Sequence, residues 1–163
     1  MTRRRNKPDT GGRLIQQQIN MRINRTFLDQ ARFTVSCEIP VRLADLDLQG
    51  HVNNVRATEI LQEARADFNR RCGVADMARS HGLRPVIASL LVEYAAEMAM
   101  GEPVRVYTGV LSLGNSSFTL VQRAEQNNRY TLYAQVTMVL VGDVGASPLP
   151  DTLKESFARF LVE

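Results

Sequence analysis

Two kinds of hydrophobic spacing divide the chain. Over 32–42, RFTVSCEIPVR, apolar side chains fall on every second residue, at Phe33, Val35, Cys37, Ile39 and Val41, which predicts a strand with one buried face. Over 55–73 the spacing changes. Ala57, Ile60, Leu61, Ala64 and Phe68 recur at three- and four-residue intervals, the stripe of a long helix with one apolar side, and Gly73 is placed to end it. Period-two segments return at 85–98, 103–113, 116–125 and 129–141. Gly114-Asn115 and Gln126-Asn127-Asn128 supply tight connections between the last three. A terminal helix is expected over Leu153–Leu161, opening at Asp151. Upstream, Ile15, Ile19, Ile23 and Phe27 permit a helix between Arg13 and Ala31, with Thr26 and Asp29 as a capping pair.

Strand, long helix, then an antiparallel run of strands describes an α+β domain in which one helix covers one face of a sheet. The sheet is expected to wrap around that helix. Its edge and outer face then call for a partner, and a homodimer or a dimer of dimers is the economical answer. The expected seam is the edge strand around Arg84–Tyr94, which carries a nearly continuous apolar run.

Charge changes this picture at one end only. The net charge is +3, yet residues 1–32 hold eight basic side chains against Asp9 and Asp29, a local +6, so the remainder carries −3. Residues 1–31 therefore read as a basic leader, partly disordered or helical, and 32–163 as a single domain. Met21 offers a second start for the translated chain. A basic arm can meet nucleic acid, but without interleaved aromatics or a binding motif that partner is disfavoured. No apolar run is long enough to span a bilayer and no secretory signal is visible, so the expected location is cytoplasmic. Cys37 and Cys72 stand far apart without metal-ligand spacing, and are expected to be reduced, mostly buried thiols; no metal and no cofactor is expected.

The densest chemistry lies in DLDLQGHVNN, residues 45–54. Read structurally, Asp45 and Asp47 cap backbone N–H groups, Gly50 turns the chain and Asn53 caps the helix. Read chemically, the same stretch brings a carboxylate, Asp47, and the lone His51 to the start of a helix, whose free N–H groups can hold an anion or a developing oxyanion. No Gly-x-Ser-x-Gly elbow is present to supply a serine nucleophile.

DLDLQGHVNN followed by ILQEAR resembles the signature of the hotdog-fold acyl thioesterases, in the 4-hydroxybenzoyl-CoA thioesterase branch, and is similar to a motif of plant acyl-carrier-protein thioesterases. The likeness continues through VEYAAEMAMGEPVRVYTGVLSLGNSSFTLVQRA and covers roughly residues 33–145. It implies a hotdog fold, an antiparallel sheet around one central helix, and hydrolysis of an acyl-CoA or acyl-carrier-protein thioester. Asp47 matches the family's catalytic carboxylate and Asn54 the residue whose backbone N–H polarises the carbonyl. His51 takes a supporting role, and Gly50, Asn53 and Ala57 fall where substrate is bound. The pattern departs from the family at Ala57, where Tyr is usual, at Gln62, where Glu is usual, and at Gln49, where plant relatives carry Asn. The change at Ala57 opens space beside the acyl group. A non-catalytic acyl-CoA sensor with a basic arm is the alternative, and a hotdog dehydratase a more distant one.

Overall fold

The computed structural model describes residues 22–163. Its elements are α1 (Arg25–Gln30), β1 (Val35–Ile39), a 3-10 turn (Leu43–Asp45), α2 (Asn54–Arg71), α3 (Val74–Ser80), β2 (Arg84–Tyr94), β3 (Val104–Leu113), β4 (Ser117–Gln126), β5 (Arg129–Gly142), β6 (Gly145–Ala146) and α4 (Asp151–Ala158). The sheet is antiparallel in the order β1-β3-β4-β5-β2, with the short β6 on β5. Strands β3, β4 and β5 form the expected meander. Strand β2 does not continue it: after Tyr94 the chain leaves the sheet, and β2 pairs instead with β5 on the far side. Asn127 and Asn128, at φ 54° and 57°, close the β4–β5 hairpin with the two left-handed residues that such a turn demands.

The expected helix stripe is the buried face of α2. Ala57, Ile60, Leu61, Ala64 and Phe68 are each at most 4% exposed. They divide the core in two. Phe68 packs with Phe118, Leu120, Val136 and Phe157 towards α4, whereas Ala57, Ile60 and Leu61 pack with Val104, Ala124 and Leu132 at the opposite end. Between them Gln122 of β4 reaches across the core. Its amide donates to the Leu61 carbonyl (2.9 Å) and to the Thr108 hydroxyl (3.1 Å), while its oxygen accepts from Arg65 (3.2 Å). Burial lowers the pKa of Arg65 from the usual guanidinium value.

The outer face of the sheet departs from expectation. Instead of waiting for a partner, much of it is covered by the chain's own N-terminal part. Ile23 and Leu28 are buried against Val121 and Tyr133, with Phe27, Phe33 and Tyr130 packed around them. Arg123 fastens this layer. Its guanidinium lies 4.5 to 5.2 Å from the ring centres of Phe33, Tyr107 and Tyr130, and donates to the Leu28 and Asp29 carbonyls at the C-terminal end of α1. The stretch that charge assigns to the leader thus contributes Ile23–Ala31 to the sheet's outer layer. The helix expected over Arg13–Ala31 lies largely outside the described residues. Within them α1 is capped by Asn24, whose side chain accepts from Phe27 N–H, and not by the Thr26–Asp29 pair. Among the described residues no helix is long and apolar enough to cross a membrane.

Candidate active site

The DLDLQGHVNN stretch folds as a hydrogen-bonded loop leading into α2. Asp45 anchors its start: the carboxylate accepts from the Arg42 backbone N–H (2.8 Å) and from the Arg42 guanidinium (2.9 and 3.2 Å), and its carbonyl accepts from Asn53 N–H (2.9 Å). The bonds to Arg42 hold the Asp45 carboxyl below the ordinary carboxylate pKa. Asp47 organises the turn itself. Its Oδ1 accepts from Gln49 N–H (2.8 Å) and His51 N–H (3.2 Å), and its backbone exchanges bonds with His51 and Gly50. Gly50, at φ 80°, takes the left-handed conformation that lets the turn reverse direction. Both hydrogen bonds of the Asp47 carboxylate thus fall on Oδ1, and Oδ2 makes none among the described residues.

Asn53 is the N-cap of α2, its side chain accepting from Val55 N–H (2.9 Å) and its carbonyl from Ala57 N–H (2.8 Å). The Asn54 N–H belongs to the first turn, where no intrahelical acceptor exists. Opposite, residues after β2 run alongside the loop: Val52 N–H donates to the Met98 carbonyl (2.8 Å), and His51 Nε2 lies 3.4 Å from a Glu97 carboxylate oxygen.

Asp47, His51, Asn54 and Ala57 line one cavity of about 380 Å³, walled further by Tyr94, Met98 and Leu132. Four of the six residues singled out from sequence thus share a wall. Gly50 and Asn53 do not line it; the first shapes the turn and the second caps the helix. Tyr94 and Glu97 were not foreseen. Tyr94 had a signal, a phenol at the end of a largely apolar strand, whereas Glu97 reaches the site only because β2 leaves the sheet there. Ala57, 1% exposed, lines the cavity together with Tyr94 of β2.

The family model described as the thioesterase-like superfamily matches residues 41–157, which includes every residue of this cavity. The chain belongs to the thioesterase-like superfamily. A solved thioesterase from Thermus thermophilus, described as complexed with coenzyme A and Zn, is 26% identical, with a TM-score of 0.70 over 78% of this chain and 94% of that one. The curated relatives include YsmA of Bacillus subtilis, 27% identical over 54% of this chain and 58% of its own length. THEM6 of Danio rerio is 31% identical over 51% of this chain and 41% of its own. The chain spans about half the length of these curated relatives. The curled antiparallel sheet around α2 is the hotdog fold of this superfamily.

Proposed function

We propose that the protein hydrolyses an acyl-CoA or acyl-carrier-protein thioester to a free acid and a thiol. The observation that carries this reading is the single cavity shared by the Asp47 carboxylate and the first turn of α2. A thioester already has a good leaving group, so a base and an oxyanion donor suffice. Asp47 Oδ2 takes a proton from water as the water oxygen attacks the carbonyl carbon. The carbonyl oxygen gathers charge against the Asn54 N–H, helped by the positive end of α2. Collapse breaks the C–S bond, and the thiolate leaves with the proton. Direct attack by Asp47, giving an acyl anhydride that water then cleaves, uses the same two groups. Met98, Leu132 and Ala57 offer the apolar surface for the acyl chain, and His51 steadies the loop through Glu97.

The β2 edge supports a homodimer. Val86, Ile87 and Leu90 are 36 to 48% exposed along a strand that has no second neighbour among the described residues. Tyr94 ends that strand in the cavity wall, so a second copy on β2 would stand beside each site.

A panel of acyl-CoA and acyl-carrier-protein thioesters, read by thiol-reactive dye, tests the hydrolase. A substrate-free control sets the background from the protein's own thiols, half-buried Cys37 and buried Cys72. At least one thioester is expected to be turned over, and Asp47→Ala to abolish most of that turnover. A panel with no substrate, or an undiminished Asp47→Ala variant, would overturn the reading.

A further inference from the structure

A second cleft adjoins the thioester cavity. It measures about 720 Å³ and is lined by Arg22, Arg25, Thr26, Glu93 and Tyr94, among others. Tyr94, the last residue of β2, lines both, so the cleft and the cavity lie to either side of the end of this edge strand. Glu93 accepts from Ile23 N–H (3.0 Å) and from Arg25 (2.6 Å), and Arg25 also lies 5.2 Å from the Tyr133 ring centre. These contacts pin the segment to the sheet and hold Arg22 on the wall of the cleft, exposed. Two guanidinium groups against one carboxylate leave it net positive.

This location matters because of the charge of the rest. Residues 33–163 carry −3, whereas residues 1–32 carry +6. A carrier with several phosphate charges meets a body that is net acidic, and the Arg22–Arg25 cleft sets a net positive wall beside the site. Surface charges are screened beyond roughly 8 Å at physiological salt, so basic groups beside the site count for far more than basic groups elsewhere. Guanidinium groups suit phosphate oxygens by geometry as well as by charge.

Resting on the thioesterase reading, we infer that the Arg22–Arg25 cleft receives the phosphate groups of the pantetheine carrier whose acyl end occupies the Asp47 cavity. The shared chemistry is a phosphate on pantetheine, belonging either to a free CoA nucleotide or to an acyl carrier protein.

The test compares kcat/KM on three thioesters of one acyl group: acyl-CoA, acyl-carrier protein and the phosphate-free N-acetylcysteamine thioester. The full-length protein is assayed beside Arg22→Glu and beside Arg79→Glu. Arg79 on α3 is a charge control at the opposite end of β2, roughly 30 Å away by strand length. For Arg22→Glu, the ratio of kcat/KM on a phosphate-bearing substrate to that on the phosphate-free one is expected to fall roughly five- to tenfold at low salt, less at high salt. Arg79→Glu should leave the ratio alone. Whichever carrier shows the fall is the source of the phosphate. An unchanged ratio in Arg22→Glu, or an equal change in Arg79→Glu, would overturn the inference. Calorimetric binding of free CoA against pantethine keeps it separate from the hydrolase: if no thioester is cleaved, a CoA preference lost in Arg22→Glu still supports the cleft, and no such preference refutes it.

Discussion

The Tyr94 hydroxyl donates to the Asn54 carbonyl at 3.1 Å, joining the last residue of β2 to the first of α2. The Thr58 hydroxyl, one turn on, donates to the same oxygen at 3.1 Å. The helix start is thus held from the sheet as well as from within. Tyr94→Phe keeps the ring in the cavity wall and deletes one tie. It is expected to lower kcat a few-fold while leaving the melting temperature within a degree or two (roughly, from the small net worth of an exposed hydrogen bond). A steady-state assay and thermal melt of the same preparation check both.

Asp47 and Asn54 should differ in kind. In the proposed mechanism Asn54 acts only through its main-chain N–H, so Asn54→Ala retains the donor and should be the milder change. Asp47→Asn removes the proton acceptor and is expected to cost on the order of a hundredfold or more in kcat. Its amide oxygen can still accept from Gln49 and His51 N–H, so the turn should survive. A folded Asp47→Asn protein with near wild-type turnover would return the loop to a purely structural role.

Asp45 gives the molecule a defined acid sensitivity. Its folded-state pKa is lowered, chiefly by the hydrogen bond from the Arg42 side chain, so the ionised form is the one the fold favours. The stability it contributes is fully present above the ordinary carboxylate pKa of about 4 and is lost as pH falls through the lower folded-state value. Asp45→Asn is expected to melt earlier than wild type at pH 7. The gap should narrow below about pH 4. Melting curves of both proteins from pH 7 to pH 3 would show it, and a gap independent of pH would refute it.

The buried Arg65 depends on Gln122. Gln122→Leu removes the acceptor and leaves a guanidinium group 4% exposed among apolar side chains, at an expected cost of roughly 3 kcal/mol. Adding Arg65→Met should recover much of that loss, since an apolar pair needs no acceptor. Denaturant unfolding of the two single variants and the double closes the cycle.

The exposed apolar row on β2 predicts assembly. Ile87→Lys, placing a charge at a side chain now 48% exposed, is expected to shift a dimer towards monomer in light scattering at micromolar concentration. A wild-type protein that is monomeric and fully active under those conditions would remove the case for a partner strand.

Much of this structure was legible because single patterns decided it. The α2 stripe, the alternation in β1 and the two hairpin turns each announce an element from local spacing, and the observed limits lie within a few residues of the expected ones. Pairing across distance was harder. Nothing in the local pattern of residues 84–94 says that they lie beside β5 and not β3. The outer layer was obscured for a different reason: Arg22, Arg25 and Arg32 make the segment look like a solvated arm, while Ile23, just ahead of α1, and Leu28 within it do the packing. At the site, the loop and helix cap could be read from Gly50, Asn53 and the acids, but the facing wall from Ala95 to Met98 is brought in by topology alone.

The sheet order has a kinetic meaning. Strands β3, β4 and β5 follow one another through tight turns and can zip together locally, whereas β1 and β2 precede all three and must close long loops to reach their partners. The two walls of the cavity hang from these late strands: the loop of Asp47 follows β1, and the segment bearing Glu97 and Met98 follows β2. During refolding the cavity should therefore be completed after the central meander. On partial unfolding, catalytic competence should disappear while the middle of the sheet is still intact.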